Sequence, residues 1–126
     1  MSARAGPYHA EAAVGRWADL SLIEQMANIG SEVDRTVRAR EAGREDRFEL
    51  ALARALELFD LTAADARWCG PRRREVLRAR EEFCRLFFDP DMLPNSAAGL
   101  RAYFLHFAVA ARRAAAIGRR ADSRVG

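Results

Sequence analysis

The chain contains no lysine, so all 21 of its basic side chains are arginine, and 26 of its 126 residues are alanine. That pairing marks a GC-rich coding bias, so the number of arginines is by itself a weak sign of guanidinium chemistry. β-Branched residues are scarce: six Val, three Ile and two Thr stand against 12 Leu and the alanine excess. Sheet-rich folds are excluded on that ground, because strands draw on β-branched side chains and helices on Ala, Leu, Arg and Glu. Two cysteines, Cys69 and Cys84, make neither a disulfide framework nor a four-ligand zinc site. No run of about 18 apolar residues is present to span a membrane. The start MSARAGPYHA lacks the apolar segment of a secretion signal. There is no Glu-x-x-His pair, no glycine-rich phosphate loop and no serine–histidine–acid set. The sequence therefore reads as a soluble, cytoplasmic, all-α protein without a metal or cofactor and without a membrane partner.

What is present is helical periodicity. Leu22, Met26, Ile29, Val33 and Val37 recur at spacings of three and four, the stripe of one helical face, with Asp19 or Ser21 as N-cap and Gly43 as the stop. A second stripe holds Phe48, Leu52, Ala55, Leu56 and Phe59 and runs out in DLTAAD. After a turn at Trp68 to Pro71, proline suits the first turn of a third helix, whose stripe is Val76, Leu77, Phe83, Cys84, Phe87 and Phe88. The loop DPDMLPNS leads to a fourth, capped by Asn95 or Ser96 and carrying Leu100, Phe104, Phe107, Ala108 and Ala111. Four amphipathic helices on short loops predict an antiparallel up-and-down four-helix bundle. Residues 1–16 read as a flexible arm, 17–120 as a single domain and 121–126 as a frayed end. The aromatic side chains read as packing that closes the core where alanine leaves gaps.

Charge is unevenly placed. Residues 1–66 carry eight Arg and 12 acids, and residues 67–126 carry 13 Arg and six acids, within a net charge of +3. A basic second half suits nucleic acid or an acidic protein surface, including the acidic half of a second copy. Arg72, Arg73 and Arg74 stand in the first turn of the third helix, where positive charge opposes the macrodipole at a cost of a few tenths of a kcal/mol each. With Arg78, Arg112, Arg113, Arg119 and Arg120 they form the expected contact set for an anionic partner. Polar groups also border apolar stripes: Gln25, Asn28, Glu32 and Arg35 on the first, and Arg80 within the third. A buried arginine needs a carboxylate, so Arg80, Glu32 and Asp60 are expected to form a buried network that fixes register or subunit pairing.

Two short motifs resemble known sites. The segment Trp68-Cys69-Gly70-Pro71 resembles the front of the thioredoxin redox motif, in which a cysteine at a helix N-terminus is held as a thiolate. Here Arg72 stands where the second cysteine would be, and no strand is expected before Trp68. Arg101 and His106 in RAYFLH resemble the R-x4-H pattern of HEPN domains, helical-bundle ribonucleases and nucleic-acid-binding partners of toxin–antitoxin and defence systems. That resemblance implies a metal-independent ribonuclease in which the histidine shuttles the 2′-hydroxyl proton and the arginine stabilises the phosphate, usually in a dimer cleft. A spacing of five on a regular helix sets two side chains about 140° apart, so convergence calls for a second subunit or a break in the helix. The longer stretch from LSLIEQMANIGSEVDRTVRAREAG to YFLHFAVAARR, covering roughly residues 17–112, resembles a group of uncharacterised small all-helical prokaryotic proteins. It implies one domain and brings no activity. The sequence thus favours a non-enzymatic, homo-oligomeric interaction protein that meets nucleic acid or an acidic protein, with the HEPN-like ribonuclease as the alternative.

Overall fold

A computed structural model describes residues 11–125, with side chains from 15 to 122. Within that range the protein is all-helical: α1 (Glu11–Asp19), α2 (Leu22–Glu41), α3 (Glu45–Ala63), α4 (Pro71–Phe88) and α5 (Ser96–Val125). There are five helices where the periodicity predicts four. The additional one, α1, takes up residues 11–16, expected as part of a flexible arm; residues 1–10 of that arm lie outside the described range. Its brevity and the glycine at 15 hide α1 from a periodicity search. At the other end α5 continues through Val125, into the stretch expected to fray.

Local chemistry sets the boundaries. Ser21 caps α2 through a full capping box, its hydroxyl accepting from the Glu24 N–H and the Glu24 carboxylate accepting from the Ser21 N–H. Asp19, the other cap candidate, is the last residue of α1. Gly43 and Gly70 carry φ of +68° and +61°, conformations that an L side chain resists, and so end α2 and start α4. Pro71 follows at the first position of α4, where its missing N–H has no partner to lose.

The core is a single cluster running from Trp17 of α1 to Phe104 of α5. α2 lies at its centre and packs most extensively on α3 and α5, while α4 closes the opposite side against α3 and, to a smaller extent, α5. Met26, Ile29, Val33 and Val37 are buried as the first stripe predicts. The aromatics fill the remainder: Phe59 meets Phe83 at 5.6 Å and Phe104 at 6.1 Å, and Phe83 meets Phe87 edge-on at 5.4 Å. In α4 the stripe is narrower than predicted, because Leu77 and Phe88 face outward and Ala79 lies inside in their place. Gly30 marks the tightest crossing of α2 with α5.

Cross-helix contacts fix the register. Gln25 reaches Asp65 beyond the end of α3, and Arg40 near the end of α2 stacks on Phe48 near the start of α3. Asp34 holds Arg101 while Gly30 lies against Phe104. Phe59 meets Phe83, and Phe48 meets Phe87. Glu75 near the start of α4 accepts from the Tyr103 hydroxyl.

Candidate functional site

The two halves of the expected contact set occupy two elements. Arg72, Arg73, Arg74 and Arg78 are exposed on the first two turns of α4. That helix has no acidic residue in its first turn and no side-chain cap, so its N-terminal dipole and its three consecutive arginines add as positive charge. Arg112, Arg113, Arg119 and Arg120 are exposed on the second half of α5, where every side chain from Arg112 to Asp122 is exposed except the half-buried Ala116. None of these eight guanidiniums has a hydrogen bond or ion pair to a described residue. The contrast within the chain is sharp: Arg35, Arg38, Arg67, Arg80, Arg85 and Arg101 each hold a carboxylate within 3.0 Å.

Arg101 and His106 are differently placed. Arg101 turns to α2 and holds Asp34 through Nε at 2.8 Å, with a second contact to the same oxygen at 2.6 Å. Asp34 also binds Arg38 at 2.9 Å, so one carboxylate is shared by two guanidiniums. His106 is exposed, and α5 is helical through both positions. The helix therefore sets the pair about 140° apart, with Arg101 directed to α2. The signal that would have found Asp34 is absent from one sequence, since it lies 67 positions away.

The expected network of Glu32, Asp60 and Arg80 is corrected. Arg80 Nε donates to Asp60 at 3.0 Å, but the pair is on the surface, with Asp60 64% and Arg80 36% exposed. Glu32 is buried on α2 and instead takes Arg35, one turn along its own helix, at 2.8 Å; its second oxygen is buried without a hydrogen-bond partner. The three do not form one network because Glu32 and Arg80 belong to helices that do not pack together extensively.

A buried polar network exists elsewhere. Gln25, fully buried, donates to the Trp17 carbonyl at 2.9 Å and to Asp65 at 3.1 Å, and accepts from the Trp68 indole at 2.8 Å. The Trp17 indole donates to the buried Thr62 hydroxyl at 3.0 Å. Arg67 closes the set by binding both oxygens of Asp65 and the Leu20 carbonyl. The Arg67 hydrogen bond holds the Asp65 carboxyl well below the ordinary carboxylate range, against the opposing effect of burial. Burial first, and the Glu75 hydrogen bond second, push the Tyr103 hydroxyl well above the ordinary tyrosine range. Both are structural settings rather than sites poised for proton transfer near neutral pH.

Cys69 is an exposed free thiol in the turn between α3 and α4. No strand precedes it among the described residues, and Trp68 beside it is committed to Gln25, so the thioredoxin-like arrangement of strand, motif and helix is missing. Among the described residues no group of three or more His, Cys, Asp and Glu side chains is placed to hold a metal ion, and no helix is long and apolar enough to cross a membrane. Comparison of the chain with family models, with curated proteins and with solved structures finds no match.

Proposed function

We propose that this protein is a small, non-enzymatic helical interaction module that docks an anionic partner, nucleic acid or an acidic protein surface, through the arginines of its second half. The reading includes an architecture in which α2 to α5 form an antiparallel up-and-down bundle and α1 lies across its end. The contact pairs run in opposite order along α2 and α3, Gln25 with Asp65 and Arg40 with Phe48, and along α2 and α5, Asp34 with Arg101 and Gly30 with Phe104. In that arrangement the start of α4 and the second half of α5 point toward the same end of the bundle. Glu75 meets Tyr103, so Arg72, Arg73 and Arg74 lie near the middle of α5, and Arg112, Arg113, Arg119 and Arg120 follow from there along the same helix toward its end.

The observation that carries the reading is that these eight exposed arginines hold no carboxylate among the described residues, where six others do. Clustered positive charge without counter-charge costs self-repulsion, which a polyanion reverses. Exposed Leu105 and Ile117 on α5, 56% and 66% exposed, support self-association of the module into a homo-oligomer. The ribonuclease alternative needs Arg101 at a phosphate, and Asp34 already occupies that guanidinium.

One gel tests these readings: labelled single-stranded and hairpin RNA with the protein in EDTA, at two salt concentrations, beside Arg72→Gln/Arg73→Gln/Arg74→Gln and His106→Ala. A shifted band that weakens in the triple variant and falls about a thousandfold in affinity between 50 and 200 mM salt, as for about six phosphate contacts, is the result expected of a nucleic-acid partner. Intact, unshifted RNA leaves the acidic protein surface. Cleavage lost in His106→Ala overturns the non-enzymatic reading in favour of the HEPN-like one.

A further inference from the structure

A second arginine cluster lies away from the α4–α5 surface, in the half of the chain whose formal charge is negative. α2 and α3 enclose an open cleft of about 400 Å³. Among the described residues five arginines line it, Arg35 and Arg38 from α2, Arg44 from the turn, and Arg47 and Arg54 from α3, and no carboxylate does. The rest of its lining is Leu50 and three alanines, Ala39, Ala42 and Ala51, whose small side chains leave the space between the two helices open.

The acids that make the first half negative overall lie outside the cleft or behind it. Glu32 and Asp34 hold Arg35 and Arg38 from outside its lining, and Glu32 is fixed there by burial. These two guanidiniums are thereby positioned rather than free to collapse across the opening. Arg54 is engaged within the chain. Arg44 and Arg47 are exposed, with no hydrogen bond or ion pair from their side chains to a described residue. Like charges three positions apart on one helical surface repel by a few tenths of a kcal/mol, and an anion seated in the cleft reverses that repulsion.

The spread of charge selects the ligand. Arg47 and Arg54 are seven residues apart on α3, about 10 Å along the helix, and Arg35 and Arg38 face them from α2. One tetrahedral phosphate reaches two forked guanidiniums. Arg44 and Arg47, faced by the remaining donors of the carboxylate-held Arg35 and Arg38, spread positive charge beyond one phosphate and match a linear chain of phosphoryl groups. We propose that the α2–α3 cleft binds a linear oligophosphate, either free or as the phosphate tail of a nucleotide, with Arg44 and Arg47 as its principal contacts and Arg35 and Arg38 as preset ones.

The test is calorimetric titration of the full chain with orthophosphate, pyrophosphate, tripolyphosphate and ATP at low and physiological salt, with circular dichroism confirming that each variant is folded. The expected result is one site per chain, with tripolyphosphate binding at least about tenfold tighter than orthophosphate. The Arg44→Gln/Arg47→Gln variant should lose about tenfold or more, while Arg16→Gln/Arg85→Gln, an equal loss of charge at exposed arginines outside both clusters, stays within about twofold of the parent. ATP binding no tighter than tripolyphosphate assigns the free chain, and a further gain assigns the nucleotide. Equal loss in the two multiple variants, several weak sites, or no binding at low salt would overturn the proposal. So would displacement of tripolyphosphate by a short RNA oligonucleotide that itself depends on Arg44 and Arg47, because the occupant would then be a nucleic-acid strand. The two arginine sets are separate, so this result stands apart from the α4–α5 interface.

Discussion

At Gly30 a β-carbon would stand 2.8 Å from the β-carbon of Phe104. Neither atom sits on a flexible side-chain end, so Gly30→Ala must push α2 and α5 apart. Overpacking of this kind costs about 1–3 kcal/mol, against about 1 kcal/mol recovered from alanine's better helix propensity. The expected outcome is a lower denaturant midpoint with an unchanged slope, and a rise in stability would show that the crossing is loose. Gln25 is a larger commitment, since three groups depend on its one amide. Gln25→Leu is expected to cost about 1–3 kcal/mol by leaving the Trp68 indole without its acceptor and the Trp17 carbonyl with the Leu20 N–H alone. Arg80→Met, by contrast, removes only the surface pair with Asp60, and thermal denaturation should place it within about 0.5 kcal/mol of the parent. Asp65 links this scale to pH. Its carboxyl is lowered from the ordinary 3.8 in the folded state, so its contribution is complete above that value and is lost as pH falls through and below it. Acid titration of Asp65→Asn should show a flatter loss of stability below about pH 4 than the parent; an unchanged acid limb would count against Asp65 as the titrating group. At this scale the sequence was partly legible. Gln25 and Glu32 stood out as polar residues beside an apolar stripe, yet their partners lie on other helices, and no local pattern pairs Gln25 with Trp68 or Arg101 with Asp34.

Helices are where the sequence reads best, because caps and periodicity are local. α2 begins at the Ser21 capping box and ends before Gly43, and α4 starts at Gly70-Pro71, each on a signal a few residues long. α1 escaped because nine residues hold too few turns to show a stripe. In α4 the heavy apolar content of LFF made the stripe look wider than the buried face, where Phe83 is enclosed and Phe88 is 64% exposed. The arginine-rich end of α5 was legible as a charge run, but its exposure follows from length. α5 has 30 residues against 18 to 20 in α2, α3 and α4, about 45 Å against roughly 30 Å. Removing the chain after Ala111 should therefore leave the fold and its melting temperature nearly intact while weakening any polyanion binding by about tenfold or more, read by circular dichroism and band shift. A large loss of stability would mean that the end of α5 belongs to the core.

For the whole molecule, the fold class follows from composition, whereas the placing of charge does not. The division into an acidic first half and a basic second half conceals the cleft of Arg35, Arg38, Arg44, Arg47 and Arg54, because helical phase separates acids and arginines that neighbour one another in the chain. The candidate interface on α4 and α5 was visible as residues, and its lack of internal counter-charge only as a structure. Both tryptophans of the chain, Trp17 and Trp68, belong to the network around Gln25 and Thr62, and the Arg67 guanidinium lies 4.4 Å from the Trp68 ring centre. Intrinsic fluorescence is consequently a local instrument in this protein, blind to the α2–α3 turn and tuned to the meeting place of α1, α3 and α4. Followed beside far-ultraviolet dichroism during unfolding, it separates a single cooperative melt, in which the two curves coincide, from an early release of that corner, in which the emission changes first.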